Sequence, residues 1–221
     1  MSNILTIAYT TEGTTDERFL GSVIQNAFES AAFNCEDQIE VFEPIFIKFP
    51  KIDTFVNDAI AVAKKAFDIG INVLCIHMDA DSPSNADTLK YKFNPAVIAI
   101  NKENNGTICK NLVAIIPIYM TEAWMLADKN LFKEEIGTTK SDIDLGINKA
   151  PENISNPKKI IEEALVIAQN HLPKRRDRIA ISDLYQPLGQ KTSIDELIKL
   201  DSFKNFQLFV NDSLKKLNYL K

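Results

Sequence analysis

The sequence predicts an α/β protein: a mainly parallel four-stranded sheet flanked by helices, followed by a helical C-terminal extension. Three observations carry this. Strand-length apolar runs alternate with amphipathic helical stretches over residues 1–128. Two of the runs, Val73–Met78 and Leu112–Ile118, are apolar almost throughout, as strands covered on both faces are. Carboxylates follow the strands, at the edge where open parallel sheets bind ligands.

Taken in order, Ile4–Tyr9 is rich in β-forming residues and reads as the first strand. Thr10–Asp16 is a polar turn carrying Glu12. Thr14 and Glu17 fit a capping box for a helix with Phe19, Val23, Ile24, Ala27, Phe28 and Ala31 on one face. Ile39–Phe49 is the second strand region, with Val41, Ile45 and Ile47 expected inward. Pro44 within it assigns it to an edge or a bulge. Asp53–Phe67 repeats at helical spacing, and Gly70 suits its C-terminal cap. Val73–Met78 is the expected central strand. Ala86–Asn101 is helical but carries Pro95, which must break or kink it. After Leu112–Ile118, Thr121 suits an N-cap for a helix running to Asp128. Asn156 and Pro157 open a further helix through Ile160, Ile161, Ala164, Leu165 and Ala168. Ser193–Leu200 and Phe203–Leu217 are two more amphipathic helices. Residues 1–130 are thus expected to form the α/β domain, and 131–221 an extension packed on it rather than an independent unit.

Composition narrows the function classes. With 221 residues, 45% hydrophobic and 25% charged, the chain is long enough for one α/β core. A net charge of −5 argues against a purely electrostatic nucleic-acid binder. Any nucleic-acid contact then needs a local patch. The densest basic run is Lys174, Arg175, Arg176 and Arg178, with Lys191 a second candidate; the plainer reading is a solvated or partner-facing run. Three cysteines without a CxxC spacing fit reduced thiols and a cytoplasmic location. No signal-peptide pattern or membrane-length apolar run is present, so no membrane partner is expected. Two histidines give little basis for a zinc or histidine-based site, and GxGxxG and GxxxxGK[ST] are absent, which disfavours a nucleotide-binding Rossmann or P-loop protein.

The residues that could carry chemistry are Glu12, Asp79, Asp81 and Glu122. Side chains two apart on a strand share a face, so Asp79 and Asp81 project together if the strand holds at its exit. Such a pair repels itself unless a proton or cation intervenes. An all-oxygen set suits Mg2+ or Mn2+, which would polarise a phosphoryl group and supply a bound nucleophilic water. Each residue also has a plainer role. Asp79 and Asp81 fit loop chemistry, Glu12 a turn, and Glu122 a favourable helix-dipole position. Trp124 reads as core, and His77 as a packed, hydrogen-bonded histidine.

Thr11-Glu12-Gly13-Thr14-Thr15-Asp16 followed by Asp79-Ala80-Asp81 resembles the topoisomerase–primase (Toprim) domain. Glu122-Ala123-Trp124-Met125-Leu126-Ala127-Asp128 is similar to a segment of small Toprim-like proteins related to RloB-type and OLD-type nucleases. Leu188–Ile194 and Ser202–Phe206 are similar to that branch as well. The resemblance implies a Toprim-like sheet and an Mg2+- or Mn2+-dependent, phosphodiester-cleaving nuclease. Asp79 and Asp81 would be metal ligands, and Glu12 a ligand or general acid/base, with Glu122 matching the branch motif. It also implies a nucleic-acid substrate and an ABC- or AAA-type ATPase partner encoded nearby in a bacterial anti-phage system; a homodimer is compatible with it. The alternative is a non-catalytic Toprim-derived module that regulates such an ATPase. Two departures stand out: Thr11 occupies a position that is apolar in the family, and no third carboxylate extends the Asp79/Asp81 motif.

Overall fold

The computed structural model describes residues 3–170 and 178–220. The first strand region is split into β1 (Asn3–Leu5) and β2 (Ile7–Thr10). Thr6 makes the break: its N–H and hydroxyl donate to the Asn72 side chain at 2.9 and 2.8 Å. α1 (Asp16–Ala32) follows, and then β3 (Ile39–Val41) and β4 (Ile45–Phe46) on either side of Pro44. Next come α2 (Phe55–Asp68), β5 (Val73–His77), α3 (Ala86–Thr88), α4 (Asn94–Lys102) and β6 (Leu112–Ile115). The remainder is helical: α5 (Glu122–Met125), α6 (Lys129–Glu135), α7 (Pro157–Gln169), α8 (Tyr185–Lys191), α9 (Ile194–Leu197) and α10 (Asp201–Lys216).

All strand pairings are parallel. The main sheet has the order β4-β2-β5-β6, and β1 and β3 form a second parallel pair. Alternation along the strands divides the core into two layers. Ile7, Tyr9, Val73, Cys75, Val113 and Ile115 face α1 and the C-terminal helices. Ala8, Leu74, Ile76, Leu112 and Ala114 face α2 and α4. β5 is buried along its whole length, as its continuous apolar run requires. The layer beneath α1 also draws in Phe132, Ile161, Leu188, Phe203 and Phe206, so residues on both sides of position 130 share one core. Among the described residues no helix is long and apolar enough to cross a membrane.

Several local expectations are corrected. The capping box at Thr14 and Glu17 does not form. α1 begins at Asp16, with Thr15 at the cap position and no side-chain cap bond. Ile45 is 49% exposed while Ile47 is buried, because the break at Pro44 resets which residues of this edge segment point inward. Thr121 precedes α5 without capping it, and α5 ends at Met125 rather than Asp128, whose carboxylate instead caps α6. The interruption expected at Pro95 is present: a π turn over Leu89–Phe93 separates α3 from α4, which carries Pro95 in its first turn.

Tyr9 gives a stability prediction. Its hydroxyl donates to the Glu17 carbonyl at 3.1 Å. Burial, then the charges of Glu17 and Glu43, push its pKa up to about 12. The fold therefore favours the neutral phenol. That contribution is complete below the ordinary tyrosine pKa of about 10 and is lost as pH rises towards the folded value. Urea midpoints measured at about pH 9 and about pH 11 are expected to fall less in Tyr9→Phe than in the wild type.

Candidate functional site

The direction of the sheet's connections fixes where a ligand would sit. β2 leads into α1 on one face, whereas β5 leads into α3 and α4 on the other. β2 and β5 are neighbours, so a crevice opens outside their carboxyl ends. Glu12 leaves β2 there, and Asp79 and Asp81 leave β5.

The structure brings Glu12 and Asp79 into contact: Glu12 Oε2 accepts the Asp79 N–H at 3.3 Å. His77 links the strand exits beneath them. Its Nδ1 accepts the Glu12 N–H at 3.3 Å. Its Nε2 lies 3.0 Å from the Thr121 hydroxyl and 3.3 Å from Asp79 Oδ1. Thr121 N–H closes the ring by donating to Asp79 Oδ1 at 3.1 Å. Because Nδ1 accepts from a backbone N–H, the proton of the neutral imidazole sits on Nε2. Burial lowers the His77 pKa, but the hydrogen bond and charge of Asp79, with the charges of Asp16 and Glu12, outweigh it and raise the value overall. A second proton on Nδ1 would displace the Glu12 N–H. The carboxylates thus favour the cation while the Glu12 loop favours the neutral ring.

Asp81 is placed differently. It is exposed, with φ of 53°, and its N–H donates to the Tyr119 carbonyl at 2.9 Å. Tyr119 has φ of 60° and returns its own N–H to Ser82. Lys51, at φ 55°, is another left-handed non-glycine residue at this edge. Such conformations cost on the order of 1–2 kcal/mol each and collect at functional sites. Among the described residues, the Asp81 carboxylate, Glu12 Oε1 and Asp79 Oδ2 make no hydrogen bond or ion pair.

The Glu12 turn is held from within. The Thr11 hydroxyl donates to the Gly13 carbonyl at 2.6 Å, which explains how a polar residue is buried at the position the resemblance expects to be apolar. Gly13 N–H donates to Asp16 Oδ2 at 3.0 Å, and a Cβ on Gly13 would come within 2.4 Å of that oxygen. Asp16 is buried and contributes to the acidic field at His77 and Glu122. Its place in the Thr11–Asp16 motif was the available sequence signal.

Glu122 does not open onto the crevice. It is 5% exposed, and Oε1 accepts the Tyr185 hydroxyl at 2.5 Å, joining α5 to α8. Burial raises its pKa, and the charges of Asp16 and Asp79 add to this against the lowering effect of the Tyr185 bond. A raised value means that the fold favours the protonated acid. The contribution is complete below the ordinary glutamate pKa of about 4.3 and is lost as pH rises through the folded value. Glu122→Gln keeps an acceptor for Tyr185 and removes the charge. It is expected to be at least as stable as the wild type near neutral pH, with less loss between about pH 4 and about pH 7, read by urea denaturation.

No protein-family model, curated protein or solved structure matches the chain.

Of the basic candidates, the described ones, Arg178 and Lys191, form no hydrogen bond or ion pair with Glu12, Asp79 or Asp81. Lys174, Arg175 and Arg176 lie outside the described residues. Arg178 is exposed and borders a separate cavity lined by Glu162 and Gln169. Lys191 pairs with Glu135 at 2.6 Å. Two lysines that sequence reasoning passed over, Lys51 and Lys92, border a cavity shared with Glu12 and His77.

The fit to a metal can be judged from the donor set. Among the described residues no three His, Cys, Asp or Glu side chains stand together as a ready-made metal centre. Mg2+ commonly keeps several waters and uses one or two carboxylates together with substrate phosphate. The free oxygens of Glu12 and Asp79 suit that kind of ion, with Asp81 adjacent in sequence.

Proposed function

We propose that this edge hydrolyses phosphodiester bonds in nucleic acid, as an Mg2+- or Mn2+-dependent nuclease of Toprim type. The observation that carries the reading is the Glu12–Asp79 contact across β2 and β5, at the switch of the sheet. Glu12 and Asp79 would hold a hydrated ion through the oxygens left without protein partners, assisted by Asp81. When bound, that ion supplies charge neutralisation at the phosphoryl group and a water of lowered pKa.

The chain's own residues do the rest. Thr121 N–H and His77 fix the Asp79 carboxylate through Oδ1, which leaves Oδ2 for the site. The Asp79 N–H orients Glu12, whose second oxygen would serve either as a ligand of the ion or, where Asp79 holds the ion without it, as the base for an attacking water. Lys51 holds the Glu12 loop from below by donating to the Glu12 carbonyl at 2.5 Å.

A second reading is a non-catalytic module that binds and regulates an ATPase. The absence of three converging ligands among the described residues favours it. The ATPase partner and the anti-phage role rest on the resemblance alone. Incubation of the purified chain with single- and double-stranded DNA and RNA in Mg2+ or Mn2+, with and without the neighbouring ATPase, separates the two. Cleavage that stops on chelation supports the nuclease. An absence of both cleavage and metal binding in every combination leaves the module.

A further inference from the structure

A cavity of about 330 Å3 opens directly beside Glu12, lined by Glu12, Phe49, Lys51, Phe55, His77 and Lys92, with Asp53 and Asp58. It lies between the β4–α2 connection, the start of α2 and the π turn that carries Lys92. Its volume is near the lower bound of ordinary small-ligand sites, which begin at about 300 Å3. A duplex has no place in it, whereas a single nucleotide unit does.

Its lining combines two kinds of group. Phe49 and Phe55 are half-buried and lie with ring centroids 5.3 Å apart at 31°, forming a continuous aromatic surface. The rings already touch each other, so a planar ligand would stack on that surface rather than enter between them. Lys51 and Lys92 supply positive charge. Among the described residues neither forms an ion pair with a carboxylate. Lys51 spends one of its donors on the Glu12 carbonyl and keeps others available.

The two aspartates of the cavity are engaged locally. Asp53 accepts from Asn57 Nδ2 and from Thr54 N–H, which lower its pKa in that order of influence. Asp58 is buried and accepts the Ile52 N–H through both oxygens, at 3.1 and 3.4 Å. Both serve the loop and helix start that position Lys51 and Phe55.

We infer that the cavity is a nucleotide subsite that makes the edge selective for single-stranded nucleic acid, with a base stacked on Phe49 and Phe55 and a phosphate held by Lys51 and Lys92. The inference rests on the reading of this edge as a phosphodiesterase site. Base–aromatic stacking is tolerant of sequence because every base presents a π face. A base seated here leaves its flanking phosphate beside Glu12. A paired base cannot reach the rings without leaving its stack, which disfavours duplex.

The test is fluorescence anisotropy with short labelled oligo(dT), oligo(U) and a duplex of equal length. It is run in chelator, so that binding is read without cleavage. The wild type is expected to prefer both single strands over duplex. Phe55→Leu keeps apolar volume but removes the stacking face, and is expected to weaken single-strand binding about ten-fold. Lys92→Gln is expected to weaken it severalfold and to flatten its salt dependence. Circular dichroism and thermal melting establish that both variants fold. Equal binding of single strand and duplex by the wild type overturns the inference, as does wild-type affinity in both folded variants. The two readings fail separately. Binding that responds to Phe55 and Lys92 without any metal-dependent cleavage retains the subsite and removes the nuclease. Cleavage in metal that depends on Asp79, with binding indifferent to both variants, retains the nuclease and removes the subsite.

Discussion

Asp79→Asn is expected to lower metal-dependent cleavage by at least about 100-fold while leaving the fold intact. The substitution separates two roles of one side chain. Oδ1 accepts from Thr121 N–H and lies against His77 Nε2, and an amide oxygen can keep both contacts. Oδ2 has no protein partner among the described residues, so an amide nitrogen there displaces no hydrogen bond. What disappears is the charge. The same change removes the main influence that raises the His77 pKa, so its titration is expected to move down. The sequence has only two histidines, so imidazole resonances followed by NMR give a direct reading. Lost cleavage with an unmoved His77 would place Asp79 elsewhere than the geometry does.

Trp124→Ala is expected to cost about 3–5 kcal/mol in urea denaturation. Trp124 is fully buried, with Phe203 edge-on at 5.1 Å and Phe206 at 5.9 Å. Its indole N–H donates to the Ser202 hydroxyl at 2.7 Å. Ser202 in turn donates its hydroxyl and N–H to Glu152, which also takes the Asp201 N–H. One carboxylate thus satisfies the start of α10 and ties it to α5 through Trp124. Trp124→Phe is expected to lose less, since most of the ring volume remains and Ser202 keeps Glu152. A wild-type midpoint in Trp124→Ala would mean that α10 is not held to the sheet in this way.

The parts of this structure that follow from periodicity were legible in the sequence. Val73–His77 became the central strand because it is apolar on both faces, and the buried face of α1 is the one its spacing marks. Pro44 marked an interrupted edge and Asn156 a helix start, each through local chemistry. α8 was not anticipated, and it carries Pro187 and Gly189, the two residue types least suited to a helix. Gly189 is there for packing: a Cβ would lie 2.4 Å from the Phe19 carbonyl oxygen of α1. At the site, Glu12 and Asp79 were found from their places at strand ends, and they do meet. His77 was legible as a packed, hydrogen-bonded histidine, but its partners, and the roles of Thr121 and Tyr185, were not. Each depends on a contact between residues at least 44 positions apart, for which neither pattern nor spacing gives a signal. Glu122 shows the converse. Its place at a strand-to-helix mouth suggested chemistry, while its side chain is spent on Tyr185 in the interior.

The most direct test of the shared site is anomalous diffraction from crystals soaked in Mn2+ at concentrations that support cleavage. The account predicts a manganese peak at the carboxyl ends of β2 and β5, bounded by Glu12 and Asp79, and lost in Asp79→Asn. A peak elsewhere on the chain, or none at this edge, would contradict it.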